Sequence, residues 1–264
     1  MAMSPRKRAQ MWRAVQYVLL AVLLVVGLLV ADLGTLRGVF FDLDILRAMW
    51  PDVIVTALKN TVMYTASGFT FGLGLGLVLA LMRLSPVGPY RWMATAFIEF
   101  FRGVPALVVF IALGPGVSLA FPGREIPGGN LGVATVALGI VGGAYMAETI
   151  RAGIQAVPKG QMEAARSLGM PPGRAMRSIV IPQAFRIVLP PLTNELILLT
   201  KDSSLIYVLG YTTATLELTA FGREMLNQEK SLTPLVGIGL CYLMITVPLS
   251  IVVRRMESRA EKAR

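Results

Sequence analysis

The chain has 264 residues, of which 55% are hydrophobic and only 15% are charged, and its mean hydropathy is +0.67. Soluble domains contain about 25% charged residues, so this composition indicates a protein of the lipid bilayer. The formal net charge of +10 suits the basic cytoplasmic loops of a membrane protein, and no basic run has the interleaved aromatic residues of a nucleic-acid-binding segment. The chain has no histidine and one cysteine, Cys241, which excludes a Ser/His/Asp triad, a His/Cys zinc site and an internal disulfide. We therefore predict no catalytic residue, no metal, no cofactor and no nucleic-acid partner.

Six apolar stretches are long enough to cross a hydrocarbon layer of roughly 30 Å as helices. They cover residues 16–31, 53–82, 92–119, 131–154, 190–210 and 234–253. A cleaved signal peptide is the alternative for the first stretch, but its long apolar core and the lack of a small-x-small cleavage site after Val30 favour a retained anchor. The predicted organisation is a basic N-terminus, an extra helix and an external loop in 1–52, a core of five spans in 53–255 and a basic tail in 256–264.

Lysine and arginine are distributed unequally between the predicted loops. Sixteen of them lie on one side of the membrane and five on the other. Because basic loops are retained in the cytoplasm, this bias predicts that both termini are cytoplasmic in the plasma membrane and that the loop 32–52 is external.

Glycine recurs at every fourth residue in the second span, at Gly68, Gly72 and Gly76. These positions share one helix face, which has no side chains and lets a neighbouring backbone approach closely. The pattern predicts a packed bundle of several spans.

The loop between the fourth and fifth spans has its own helix signals. Pro158 suits the first turn of a helix and Gly169 the residue just past its end, so we predict a helix of about three turns between them. Met162, Ala165 and Leu168 form its predicted apolar face. A short, thin helix of this kind is suited to a groove on another protein, and the alternative is a helix that lies on the lipid surface.

The same loop has a motif with the order Glu163-Ala164-Ala165, three residues, Gly169, nine residues, Ile179, one residue and Ile181-Pro182. This order resembles the EAA loop, here 157–182, of the integral membrane subunits of binding-protein-dependent ABC importers. Ile181 stands where that pattern usually has leucine, which is a volume-conserving change. The segments 99–105, 145–154 and 199–205 resemble the polar amino acid permease family in particular, and the whole resemblance covers residues 53–255.

This resemblance implies an all-α type I importer fold with a five-span core and an added N-terminal helix. It also implies two permease subunits, identical or paralogous, with two ATPase subunits on the cytoplasmic side and a solute-binding protein outside. The residues expected to couple to the ATPase are Glu163, Ala164, Ala165, Leu168, Gly169 and Pro182. No GxxxxGK[ST] phosphate loop is present in the sequence, so we assign ATP hydrolysis to the partner subunits and predict a non-catalytic permease subunit.

Polar groups inside the spans are the candidates for the substrate path, because a charged side chain at membrane depth must face a partner or a cavity. The candidates are Glu148, Asn194, Glu195, Lys201, Asp202 and Ser203. The seven-residue spacing places Asn194 and Lys201 on one helix face. The same spacing places Glu195 and Asp202 on an adjacent face. Structural pairing is the alternative, since the i,i+3 spacing suits Glu99 with Arg102 and Glu148 with Arg151.

Two other function classes are alternatives to the importer subunit. A secondary transporter or channel usually has an internal repeat, which we do not find. A membrane-embedded enzyme without histidine would depend on Lys201 with Ser203 and Ser204, residues that the family pattern explains better. For the transported molecule we predict a polar amino acid, with glutamate or glutamine ahead of the basic amino acids, because Lys201 and Asn194 are expected in the path.

Overall fold

A computed structural model of the chain describes residues 5–262, and every regular element in that range is helical. The α-helices are α1 (Pro5–Val30), α2 (Leu33–Phe40), α3 (Leu43–Ala48), α4 (Lys59–Leu84), α5 (Gly88–Gly103), α6 (Ala106–Ile111), α7 (Val117–Ala120), α8 (Gly129–Gln155), α9 (Lys159–Ser167), α10 (Pro172–Ala175), α11 (Ile181–Asp202), α12 (Leu218–Glu229) and α13 (Thr233–Lys262). Short π-helical stretches precede α4, α7 and α11, and a 3-10 helix, Ser203–Leu209, continues α11.

Five of the six predicted spans coincide with helices that are long and apolar enough to cross a membrane. Four are single spans, Arg6–Val30, Val53–Leu84, Gly129–Gln155 and Thr233–Arg259. The fifth is the bent pair Gly88–Gly103 and Ala106–Ala120, which meet at 104° and satisfy the same criterion only when they are taken together as one broken span. The protein is therefore a multi-pass membrane protein.

The predicted span 190–210 has a different form, because α11 begins earlier, at Ile181, and ends at Asp202. Four charged residues, Arg186, Glu195, Lys201 and Asp202, interrupt its apolar character, and it is not among the spans that length and composition identify. It packs against α8, α13 and α4. The bundle itself therefore shelters part of this charged helix from lipid.

Glycines of α4 lie in its contact with α8, which is the most extensive helix contact among the described residues. A Cβ atom on Gly72 would lie 3.1 Å from the Gly139 carbonyl oxygen and 3.2 Å from the Gly143 nitrogen. Gly68 and Gly76 likewise face α8, and all three α4 glycines are buried. The backbones of α4 and α8 are therefore in direct contact over more than two helical turns.

Replacement of Gly72 by leucine should destabilise the bundle, because backbone atoms of α8 cannot move aside as a flexible side chain would. We expect the free energy of unfolding to fall by about 2 kcal/mol, as for overpacking in a dense core. Gly74→Leu is the matched control, since Gly74 has nothing within 4 Å of its Cβ position, and it should be neutral. Thermal unfolding in detergent measures both, and equal stability of the two variants would contradict the close packing.

The segment before α4 forms a small helical cap on the start of α13. The Val39 carbonyl accepts hydrogen bonds from the Leu232 nitrogen at 2.9 Å and from the Ser231 hydroxyl at 2.9 Å. Met49 is 2% exposed and packs with Ile238 of α13. The cap is thus attached to the last span as well as to the second, whereas α1 buries no residue of its apolar core.

The loop that leads into α12 is tied to α4 by polar side chains. The Asn60 amide donates hydrogen bonds to the carbonyl oxygens of Ala214 at 2.9 Å and Leu216 at 2.8 Å. The Tyr64 hydroxyl donates to the Thr215 carbonyl at 3.0 Å. The Asn60 and Tyr64 side chains of α4 find their partners in this way, and the loop is held by its backbone.

Candidate functional site

The broken span between α5 and α6 forms one wall of a cavity. The α5 helix ends at Gly103, and Pro105 begins the next helix, where its missing N–H and fixed φ are tolerated. The cavity has a volume of about 380 Å³. It is lined by residues 102–106 of the bend, by Val141, Gly142 and Tyr145 of α8, and by Glu195, Leu198, Leu199 and Asp202 of α11. Non-helical backbone at membrane depth is typical of positions that line a cavity.

Three charged side chains line this cavity, Arg102, Glu195 and Asp202. The Arg102 guanidinium lies over the ring of Tyr145, with its carbon 5.3 Å from the ring centroid, and this cation–π contact holds it at the cavity wall. The Tyr145 hydroxyl donates a hydrogen bond to the Arg102 carbonyl at 3.4 Å. A cavity with both signs of charge suits a zwitterionic molecule.

The structure brings only two of the six predicted path residues, Glu195 and Asp202, into this cavity. Asn194 and Lys201 lie on the exposed face of α11. Ser203 is fully buried, and its hydroxyl donates a hydrogen bond to the Thr200 carbonyl at 2.7 Å. The two faces predicted from the seven-residue spacing are therefore both present, but only the acidic face lines the cavity.

The sixth candidate, Glu148, is the centre of a separate cluster of charges. Arg83 Nη1 donates a hydrogen bond to Glu148 Oε2 at 2.6 Å, and Arg151 Nε donates to the same oxygen at 3.2 Å. The predicted pair of Glu148 with Arg151 is thus present, with Arg83 as an additional partner. The predicted pair of Glu99 with Arg102 is wrong, because Arg102 turns to Tyr145 and Glu99 Oε1 instead lies 3.8 Å from Arg83 Nη2.

The helix predicted in the loop 157–182 is α9, and its ends are those that the sequence signals predicted. Pro158 is the N-cap residue. Gly169 has φ +82°, and the Met170 nitrogen donates a hydrogen bond to the Ala165 carbonyl at 3.1 Å. This is the arrangement of a Schellman motif, in which glycine adopts the left-handed conformation at low cost.

The predicted apolar face of α9 is divided between two surroundings. Ala165 is 5% exposed, and Met162 packs with Val180 near the start of α11. Leu168 is 87% exposed, because the helix ends at Ser167 and its side chain leaves the inward face. The predicted coupling residues Glu163, Ala164, Gly169 and Pro182 are also exposed. The outer surface of this loop, rather than Ala165, is therefore available to another protein.

Arg102 and Tyr145 are polar cavity residues that were not among the residues predicted for the substrate path. The i,i+3 spacing of Glu99 and Arg102 suggested a neutralised pair, which concealed the role of the arginine. The Gly-Val-Pro sequence directly after Arg102 was an available signal, since proline disfavours a continuous helix at that point.

Comparison with known proteins identifies the family. Residues 72–262 match the family described as "Binding-protein-dependent transport system inner membrane component". The chain is 38% identical over 218 residues to the "Probable glutamine ABC transporter permease protein GlnM" of Bacillus subtilis (strain 168), which covers 82% of this chain and 95% of that protein. It is 34% identical over 206 residues to the "Arginine transport system permease protein ArtQ" of the same organism, covering 78% and 91% of the two chains.

A solved structure also matches the fold. The structure described as "Crystal structure of an amino acid ABC transporter with histidines" aligns with a TM-score of 0.70 and 36% identity, covering 79% of this chain and 94% of that one. Together with the helical architecture, this match confirms the predicted type I ABC importer fold. The chain belongs to the family of binding-protein-dependent transport system inner membrane components.

Proposed function

We propose that the chain is the permease subunit of an ATP-driven importer of polar amino acids. The observation that carries this proposal is the cavity at the bend between α5 and α6, which is lined by cationic and anionic side chains. The chain that forms it belongs to a family of transport subunits of the inner membrane. An α-amino acid has one carboxylate and one ammonium group, so Arg102 and the α11 carboxylates are suitable partners for it. Relatives named for glutamine and for arginine transport support the substrate class.

The proposal includes a complex of several subunits. Two ATPase subunits bind the loop 157–182 of two permease subunits, and a solute-binding protein delivers the amino acid from outside. ATP hydrolysis is the work of the ATPase subunits, and this chain converts their closure into a change of access to the cavity. The exposed outer surface of α9, with Leu168 at its end, is the proposed contact.

The proposed orientation has both termini in the cytoplasm of a cell bounded by the plasma membrane. It is supported by the excess of lysine and arginine on the side that carries the loop 157–182 and the tail 256–264. The cap formed by α2 and α3 and the loop before α12 then face outward.

Reconstitution tests function and orientation together. Proteoliposomes made with the complex, purified through a tag on this chain, should accumulate a labelled polar amino acid only with ATP inside and the solute-binding protein outside. In the molecules that transport, external trypsin should cut the tail 256–264 only after the vesicles are permeabilised. Uptake driven by an ion gradient without ATP would instead support a secondary transporter and contradict the proposal.

A further inference from the structure

The charged side chains that line the cavity, Arg102, Glu195 and Asp202, form no ion pair with other residues in the described part of the chain. The two carboxylates also accept no hydrogen bond from those residues. One cationic and two anionic groups thus face a cavity in which a ligand with the opposite charges can pair with them.

We infer that this cavity accepts an amino acid with a cationic side chain, such as lysine or arginine, in preference to glutamine or glutamate. This inference rests on the proposed function, since it names the substrate class of the same cavity. A basic amino acid has one anionic and two cationic groups, which is the complement of the three lining charges. Its α-carboxylate pairs with the Arg102 guanidinium, and its ammonium and side-chain cation pair with Glu195 and Asp202.

The spacing of the two carboxylates favours a long side chain. Glu195 and Asp202 are two helical turns apart, so their Cα atoms are separated by about 10.5 Å along α11. A ligand whose two cations are several bonds apart can contact both side chains. Glutamine has a single cation and leaves one carboxylate unpaired. Glutamate brings two carboxylates, of which Arg102 can pair with one, and the other is a like charge beside Glu195 and Asp202, which is unfavourable.

The preference for glutamate or glutamine that the sequence favoured depended on two other residues. Lys201 and Asn194 were expected beside the substrate, but both lie on the exposed face of α11 and neither lines the cavity. Without them, the lining groups include an excess of carboxylates over cations, which favours the basic amino acids.

Direct binding to the purified permease–ATPase complex tests this inference. The solute-binding protein is left out, because its own selectivity would mask that of the cavity. Labelled arginine should bind at least about tenfold more tightly than glutamine, and glutamate most weakly of the three. Asp202→Asn and Glu195→Gln should each weaken arginine binding about tenfold, as for loss of a charged hydrogen-bond partner. Glutamine has no side-chain cation. Its binding should therefore hardly change in whichever of the two variants removes the partner of the arginine side chain, so that the ratio of arginine to glutamine affinity falls.

Asp44→Asn is the matched control, since it makes the same chemical change at a side chain that is 92% exposed outside the cavity, and it should keep the ratio. The amount of ATPase that co-purifies shows that each variant is folded. Tighter binding of glutamine or glutamate, an unchanged ratio in both cavity variants, or no binding of any amino acid would overturn the inference. ATP-dependent uptake in proteoliposomes is measured separately. Loss of uptake contradicts the proposed function, whereas uptake that persists beside one of these binding results contradicts the inference alone.

Discussion

Leu168→Asp is expected to release the ATPase subunits from the complex and to abolish most ATP-driven uptake. Leu168 is 87% exposed at the end of α9, so the substitution places a charge in the proposed interface without disturbing the packing of the permease itself. Loss of an interface hot spot costs about 2 kcal/mol or more, and each 1.4 kcal/mol corresponds to about a tenfold change in affinity. We therefore expect at least a tenfold loss of co-purified ATPase at limiting concentration.

Leu119→Asp is the matched control for this experiment. Leu119 is 82% exposed at the opposite end of the bundle, in α7, and its replacement should leave the ATPase bound. Ala165→Asp is a poorer choice, because Ala165 is buried against its own chain and its replacement would disturb α9 directly. Wild-type amounts of ATPase with Leu168→Asp would show that the subunits dock elsewhere.

Glu148→Gln is expected to destabilise the bundle strongly, although it removes only one charge. Glu148 neutralises both Arg83 and Arg151, and the three side chains are between 21% and 26% exposed. Removal of the shared carboxylate leaves two cations close together, with only the more exposed Glu99 carboxylate beside Arg83 and the neutral Gln155 amide beside Arg151. Breaking a fully buried pair costs about 3–5 kcal/mol, and because these groups are partly exposed we expect about 2 kcal/mol, measured as a lower midpoint of thermal unfolding in detergent.

Glu99→Gln makes the same change in the same cluster at a different depth. The Glu99 side chain is 60% exposed and lies 3.8 Å from Arg83, so solvent screens the interaction and the expected cost is about 0.5 kcal/mol. Comparison of the two variants isolates the effect of burial, since both replace glutamate by glutamine and both carboxylates contact Arg83. If the two variants unfold at the same temperature, Glu148 does not hold the cluster together.

The elements that depend on local sequence could be predicted, and those that depend on distant contacts could not. The ends of α9 follow from Pro158 and Gly169, and the glycine face of α4 follows from its four-residue repeat. The partner of Glu148 could not be predicted in the same way, because Arg83 is 65 residues away in the chain. An i,i+3 spacing shows which pairs are possible, but tertiary packing selects among them.

The cavity shows the same limit at the level of the site. The spacing in α11 correctly separated an acidic face from a face with Asn194 and Lys201, yet a helix taken alone does not reveal which face its neighbours leave open. The bend after Arg102 decides this, because it turns α6 away and opens space in front of Glu195 and Asp202. The cavity has the mixed charge that was predicted for the path, but the cation that lines it is Arg102 and not Lys201.

The ties between Asn60, Tyr64 and the loop before α12 have a mechanical consequence. The loop is bonded to α4 through its backbone, α4 contacts the backbone of α8 at Gly72 and Gly76, and α8 leads into the loop 157–182. Close-packed elements of this kind deform little and transmit displacement. We expect them to move together as one rigid body, so that a displacement of α9 moves the loop before α12 by a similar distance. Loss of one Asn60 hydrogen bond would then reduce the displacement of that loop.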